Sequence, residues 1–112
     1  RTKGNNLEVQ GSGNETRSFI NIKDFIKAFD ILLKKGKNLN IYNIGTNERI
    51  TVKKLTKMIL KILKSKKMIK YRKLAKGGTK HRCPDIKKIS KLGFKQKIKL
   101  REGIYNLIHH EK

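Results

Sequence analysis

Acidic residues are scarce in this chain of 112 residues, where eight Asp and Glu face 30 Lys and Arg and leave a formal net charge of +22. Aromatic residues make up only 6%, and there is no Trp. Proteins that bind single-stranded nucleic acid interleave stacking aromatic side chains with basic ones. The chain has little material for such stacking, so its composition alone does not identify a nucleic-acid-binding module.

The excess of lysine has two interpretations. Lys, Asn and Ile are encoded by A/T-rich codons, and the lysines are spread over the whole chain. Codon usage in an A/T-rich genome therefore explains the charge without a polyanionic partner, and we favour this interpretation. A basic nucleic-acid-binding module is the alternative hypothesis, because a strongly positive field attracts polyanions. An inactive, truncated remnant is a third hypothesis.

Cysteine and long apolar runs are also lacking. A single cysteine, Cys83, excludes an internal disulfide framework and favours a reducing, cytoplasmic setting. No apolar run is long enough to cross a bilayer, so no membrane partner is expected. His81, Cys83, His109 and His110 do not fall at a metal-ligand spacing, and no metal site is predicted. A start at Arg1, without Met or a signal pattern, leads us to expect a segment of a larger enzyme.

The periodicity of the remaining residues predicts a mixed α/β segment. Apolar residues at helical spacing predict four helices, with N-caps at Asn21 and Thr51 and a near capping box from Asn21 to Asp24. The helices are predicted over 22–33, 52–63, 84–92 and 100–108, and short strands over 7–9, 18–20, 39–44 and 68–71. The strands are too short for an independent parallel sheet, so we expect them to pack against another part of a larger structure.

The motifs of catalysis are absent. Gly11-Ser-Gly13 is followed by Asn14-Glu15-Thr16, so the third glycine of a dinucleotide-binding loop is missing. The chain has no Tyr-x-x-x-Lys pair and no P-loop. We therefore predict no catalytic residue and no cofactor-binding residue in this chain.

Two arginines are candidates for binding an anion. Arg17 follows a glycine-rich loop at the start of a predicted strand, and Arg82 precedes Pro84 and Asp85 at the head of a predicted helix. A guanidinium matches phosphate oxygens in pairs, and a helix N-terminus adds positive charge. Asp85 can accept hydrogen bonds from ribose hydroxyls or cap its own helix. Spacing alone leaves diphosphate binding as one hypothesis, because most arginines of a basic protein are simply solvated.

Three motifs occur in a fixed order along nearly the whole chain. The first is GSGNETRSFI at 11–20 with Asp24-Phe25, the second is IYNIG at 41–45 with ITV at 50–52, and the third joins RCPDI at 82–86, LGF at 92–94 and LREG at 100–103. These motifs, in this order, resemble those of the NAD-dependent nucleotide-sugar epimerases and dehydratases, which are extended short-chain dehydrogenases/reductases.

The resemblance implies an α/β fold in which residues 1–112 form the small C-terminal, nucleotide-sugar-binding lobe of a Rossmann-type enzyme whose Rossmann half is absent. By resemblance, Arg17 and Arg82 contact the diphosphate from two sides, and Asp85 holds the ribose. Phe19 lies beside the nucleotide, and the strand ending at Gln10 passes the base. Gln10 departs from the aromatic residue that relatives often have there.

The resemblance also implies a parent enzyme that oxidises a sugar transiently with NAD and then epimerises, dehydrates or decarboxylates it. Such an isomerase or lyase, expected to be a homodimer, would serve polysaccharide biosynthesis. Its catalytic and NAD-binding residues would lie in the N-terminal half. This chain is therefore expected to contribute binding and no chemistry of its own.

Overall fold

The computed structural model of this chain describes residues 5–110. They form two compact units, one comprising 5–17 and 50–82 and the other comprising 18–49 and 83–110. The predicted α/β class is confirmed, and no helix in the described range is long and apolar enough to cross a membrane. In chain order the elements are β1 (Asn6–Gln10), β2 (Thr16–Ser18), α1 (Ile22–Lys35), β3 (Arg49–Thr51), α2 (Val52–Ile62), β4 (Met68–Arg72), α3 (Lys87–Lys91) and α4 (Leu100–His110).

The first unit is built on a parallel pair of strands. β1 pairs with β4, placing Asn6 opposite Met68 and Gln10 opposite Arg72. Parallel strands require a long connection, and α2 lies within this one. The predicted N-cap of α2 is confirmed, because the Thr51 hydroxyl accepts a hydrogen bond from the backbone N–H of Lys54 at 3.2 Å.

The second unit packs α1 and α3 around a small apolar core. The Asn21 side chain caps α1 as predicted, accepting a hydrogen bond from the backbone N–H of Lys23 at 2.9 Å, and Gly36 ends the helix. The core consists of three buried residues and the apolar side chains packed against them, namely Ala28, Ile89 and Phe94 with Ile20, Ile31, Leu32, Ile44 and Ile86.

Much of the apolar surface of α1 faces solvent. Ile22, Ile26 and Leu33 are 65%, 59% and 72% exposed, whereas Ala28 on another face is fully buried. The residues whose spacing predicted the helix are thus only partly those that form the core. An exposed apolar patch of this kind is typical of an interaction surface.

Several elements differ from the sequence prediction: β2 covers Thr16–Ser18 instead of 18–20, and β3 at Arg49–Thr51 was not predicted. Residues 39–44 form no strand, and in the described part of the chain no backbone N–H from residue 41 to residue 45 donates to a protein acceptor. Alternation favours a strand, but a strand forms only where a second strand pairs with it. The third helix begins at Lys87 instead of Pro84, and the Asp85 carboxylate ahead of it accepts a hydrogen bond from the backbone N–H of Lys87 at 2.9 Å.

A buried carboxylate connects α1 to the segment that precedes α4. The predicted capping box is wrong for Asp24, because its Oδ2 accepts hydrogen bonds from the backbone N–H groups of Lys97 and Ile98, at 3.0 and 2.8 Å. Asp24 is fully buried, and its Oδ1 has no hydrogen-bond partner in the described chain. A tertiary contact therefore takes the side chain that a local cap would have used.

We predict that Asp24→Ala lowers the free energy of unfolding by about 1.5–3 kcal/mol, since the backbone N–H groups of Lys97 and Ile98 lose their acceptor. Denaturant unfolding would measure the change. The matched control is Asp30→Ala, which removes an exposed carboxylate of the same helix that pairs with Lys34 at 2.8 Å. That ion pair should contribute less than about 1 kcal/mol. Equal losses in the two variants would contradict the role assigned to Asp24.

Candidate functional site

The glycine-rich loop folds around a carboxylate of the chain itself. Glu15 is only 7% exposed and accepts hydrogen bonds from the backbone N–H groups of Ser12 and Gly13 at 3.0 and 2.9 Å, and from the Ser12 hydroxyl at 3.1 Å. Gly11 and Gly13 have φ values of +90° and +83°, a region that side chains other than glycine rarely adopt. The two glycines thus allow the backbone to wrap around Glu15.

The folded loop is tied to the start of α2. The backbone N–H of Val52 donates to the carbonyl of Glu15 at 2.9 Å, and that of Lys53 donates to the carbonyl of Gly13 at 2.8 Å. These N–H groups belong to the first turn of α2, where helix donors have no partner within the helix. The loop satisfies them and thereby holds the residue that follows it, Thr16.

A backbone bridge then brings Thr16 to the segment around residue 81. The N–H of Thr16 donates to the carbonyl of Lys80 at 2.9 Å, and the N–H of Arg82 donates to the carbonyl of Thr16 at 3.1 Å. The Thr16 hydroxyl lies 2.9 Å from Nδ1 of His81. The bridge places the backbones of Arg17 and Arg82 on adjacent stretches of chain.

The two predicted arginines meet at Thr79. Nη2 of Arg17 donates to the Thr79 carbonyl at 2.8 Å, and Nη2 of Arg82 donates to the Thr79 hydroxyl at 3.0 Å. Nη1 of Arg17 also donates to the Thr16 carbonyl at 2.8 Å. We call Arg17 and Arg82 the arginine pair.

The two members of the arginine pair differ in how many side-chain N–H groups they leave without a protein acceptor. Arg17 is half-buried and uses both terminal nitrogens on backbone carbonyls, whereas Arg82 is exposed and makes one side-chain hydrogen bond. Among the described residues neither forms an ion pair with a carboxylate. Arg82 therefore presents most of its N–H groups, and a full positive charge, to solvent. Helix α3 begins at Lys87, five residues after Arg82, and not at Pro84 as predicted.

The other three predicted site residues, Gln10, Phe19 and Asp85, each have their own surroundings. Gln10 is an exposed residue at the end of β1, in the first unit. Phe19, in the second unit, has a ring that is 38% exposed. Asp85, also in the second unit, uses one carboxylate oxygen to bind the backbone of Lys87. This contact precedes α3 without capping it, since the N-cap residue is Ile86 and no side chain caps the helix.

Sequence reasoning did not identify Thr16, Thr79 and His81. Thr16 and His81 are 65 positions apart, and a contact at that separation leaves no local pattern in the sequence. The one available signal was the turn-rich stretch Gly77-Gly78 before Thr79, which indicated a loop and not its partner.

Comparisons with known proteins support the motif pattern. A family model, described as the NAD dependent epimerase/dehydratase family, matches residues 1–45. The chain is 33% identical over 107 residues to a dTDP-D-glucose 4,6-dehydratase of Homo sapiens, a match that covers 89% of the chain and 31% of that protein.

Solved structures agree with this match. A UDP-glucose 4-epimerase from Thermotoga maritima, with UDP-glucose, superposes with a TM-score of 0.83 at 29% identity, covering 89% of this chain and 32% of that one. A UDP-glucuronic acid 4-epimerase variant from Bacillus cereus, in complex with a UDP-sugar analogue and NAD, gives a TM-score of 0.81 at 28% identity, covering 89% and 33%. The chain spans about a third of the length of these relatives. The predicted resemblance and fold are confirmed.

The Glu15 carboxylate makes the stability of the glycine-rich loop dependent on pH. Its pKa is lowered from the usual 4.5 because its own backbone N–H and that of Ser12 donate to the carboxylate, an effect that outweighs its burial. Since the pKa is lower in the folded state, the stabilisation is complete above about pH 4.5 and is lost as the pH falls through the folded-state pKa.

We predict that Glu15→Gln flattens the dependence of the melting temperature on pH below about 4.5, because the amide does not titrate. It should also lower the melting temperature at neutral pH, because the substitution replaces the ionised carboxylate that the loop binds. Thermal unfolding across a pH series would measure both effects. Glu48→Gln, which removes an exposed carboxylate outside the loop, is the control. Identical pH profiles for the two variants would show that Glu15 does not hold the loop.

Proposed function

We propose that this chain, which belongs to the NAD dependent epimerase/dehydratase family, holds the diphosphate of a nucleotide sugar with Arg17 and Arg82. The observation that carries the proposal is the convergence of both side chains on Thr79. Two arginines that the sequence places far apart are thereby held on one short segment of the first unit. Each of the two similar solved structures described above holds a UDP-sugar or its analogue, which carries such a diphosphate.

The geometry divides the work between the two arginines. Arg17 is immobilised by backbone carbonyls, so in this proposal its charge is fixed before the ligand arrives, which lowers the entropic cost of binding. Arg82 keeps free N–H groups in the planar arrangement that suits phosphate oxygens. Because neither is neutralised by a carboxylate in the described chain, both remain available to an anion.

Further contacts are proposed for the residues that the resemblance indicated. Asp85 would hold the ribose through the carboxylate oxygen that does not bind the backbone of Lys87. Phe19, which is 38% exposed, would lie beside the nucleotide. The strand ending at Gln10 would pass the base, and the Gln10 side chain would contact it by hydrogen bonding, because an amide has no aromatic face for stacking.

The glycine-rich loop at 11–13 does not offer the donors of a dinucleotide-binding loop. A dinucleotide loop offers its backbone N–H groups to a pyrophosphate, but those of Ser12 and Gly13 already bind Glu15. We propose that NAD, the hydride acceptor of this family, is bound by a part of the enzyme outside this chain. The role proposed for this chain is to orient the sugar with binding energy from its nucleotide, which can raise the rate of a remote step.

The unpartnered surfaces of the second unit support packing against a further lobe. The exposed apolar side chains of α1 and the backbone N–H groups of residues 41–45, which have no acceptor in the described chain, are both features that a second lobe would cover. In this proposal the lobe completes the structure as well as the site.

We predict that Arg82→Ala lowers the affinity of the full-length protein for UDP-glucose or dTDP-glucose by about 10–100-fold, the equivalent of about 1.5–3 kcal/mol. The reason is the loss of charge-assisted hydrogen bonds to the diphosphate. Isothermal titration calorimetry would measure it. Arg17→Lys should also weaken binding, because lysine keeps the charge but not the fork that binds Thr79.

The control is Lys95→Ala, which removes one exposed positive charge from the second unit. Its affinity should match that of the unchanged protein, since overall charge contributes little at moderate salt. An unchanged affinity in Arg82→Ala, or an equal loss in Lys95→Ala, would refute binding by the arginine pair.

A further inference from the structure

The charge of the described chain is unevenly divided between its two units. Residues 5–17 and 50–82 contain 14 Lys and Arg against two carboxylates, whereas 18–49 and 83–110 contain 13 against five. Both carboxylates of the first unit are occupied, since Glu8 pairs with Arg72 and Glu15 is enclosed by its loop. The segment from residue 50 to residue 82 has no acidic residue at all.

Helix α2 concentrates this charge on one surface. The only exposed positions of the helix are 53, 54, 57 and 61, and all four are lysine. We call Lys53, Lys54, Lys57 and Lys61 the lysine stripe. None of the four forms an ion pair among the described residues. By contrast, the exposed positions of α1 mix lysine with Ile, Phe, Leu and Asp, so codon usage alone does not make every exposed helix surface basic.

The stripe has the dimensions of a contact with a polyanion backbone. Lys53, Lys57 and Lys61 follow one another at one turn of the helix, which spreads their charges over about 12 Å along its axis. A single strand of duplex DNA presents a phosphate about every 3.4 Å, so a few consecutive phosphates lie within reach of the stripe.

The rest of α2 argues against a membrane surface as the partner. A helix that binds a bilayer inserts an exposed apolar face, but the apolar residues of α2 are half-buried in its own unit. The exposed positions carry no aromatic residue either, so they offer no platform for unstacked bases. These features favour contact with the sugar–phosphate backbone of a duplex.

We propose that the lysine stripe of α2 binds the backbone of a nucleic-acid duplex without reading its sequence. This interaction is separate from the nucleotide-sugar site and does not depend on it. The proposal takes up the nucleic-acid-binding alternative that the composition left open, because all exposed positions of α2 are lysine. Affinity comes from the release of counterions from the phosphates, so it should fall steeply with salt.

The test compares two triple variants of equal charge in the full-length protein. Lys53→Gln with Lys57→Gln and Lys61→Gln removes the stripe, and Lys87→Gln with Lys91→Gln and Lys95→Gln removes three exposed lysines at the same spacing from the second unit. Binding to a short DNA duplex of mixed sequence is followed by fluorescence anisotropy between about 50 and 200 mM salt. Circular dichroism checks that both variants remain folded, since glutamine is a good helix former.

The stripe variant should lose roughly tenfold or more in affinity, and the slope of log affinity against log salt should fall by about 0.9 for each phosphate contact removed. The control triple should leave both nearly unchanged, and the same three stripe positions changed to arginine should keep binding. Equal losses in the two glutamine triples would show that only overall charge matters, and would overturn the proposal. So would binding to vesicles of phosphatidylcholine and phosphatidylserine in the absence of binding to the duplex.

Discussion

The enclosure of the Glu15 carboxylate by its own glycine-rich loop is the interaction on which the candidate site depends. It sets the conformation of the chain just before Thr16, and Thr16 forms the backbone bridge to residues 80–82. The bridge in turn brings Arg17 and Arg82 to a common residue, Thr79. A loop whose glycines suggest phosphate binding thus acts by binding an internal anion. In the proposed site its contribution to ligand binding would be indirect, through the position of the arginines.

Charge and burial are used differently in the two units. In the second unit the buried carboxylate of Asp24 has a structural role, binding backbone N–H groups that precede α4. In the first unit both carboxylates are occupied, and neither the arginine pair nor the lysine stripe forms an ion pair among the described residues. Binding an anion there requires no displacement of a resident carboxylate from the arginine pair or from the lysines of α2. A positive field of this kind serves a nucleoside diphosphate and a polyanion alike, so the geometry of individual side chains must distinguish them.

Much of the fold could be predicted from local patterns. Asn21 and Thr51 cap helices as their positions indicated, and β1 and β4 occur close to where alternation placed them. The strand predicted at 39–44 is not observed, because pairing depends on a partner that alternation does not specify. Asp24 and Asp85 show the converse. Local spacing suggested a capping box for Asp24, which instead binds residues more than 70 positions away. Asp85 was expected to start a helix, but it binds the backbone N–H of Lys87, where the helix begins.

The sequence by itself determined the family, through three ordered motifs, and it marked Arg17 and Arg82 as candidates. It also showed the excess of lysine, though not its distribution in space. Only the tertiary structure decided that the two arginines share Thr79, that Glu15 fills the glycine-rich loop, and that α2 exposes lysine alone. The physical reason is the range of the interactions. Caps and helical periodicity act over a few residues, whereas a bridge between Thr16 and His81 exists only once the intervening chain has folded.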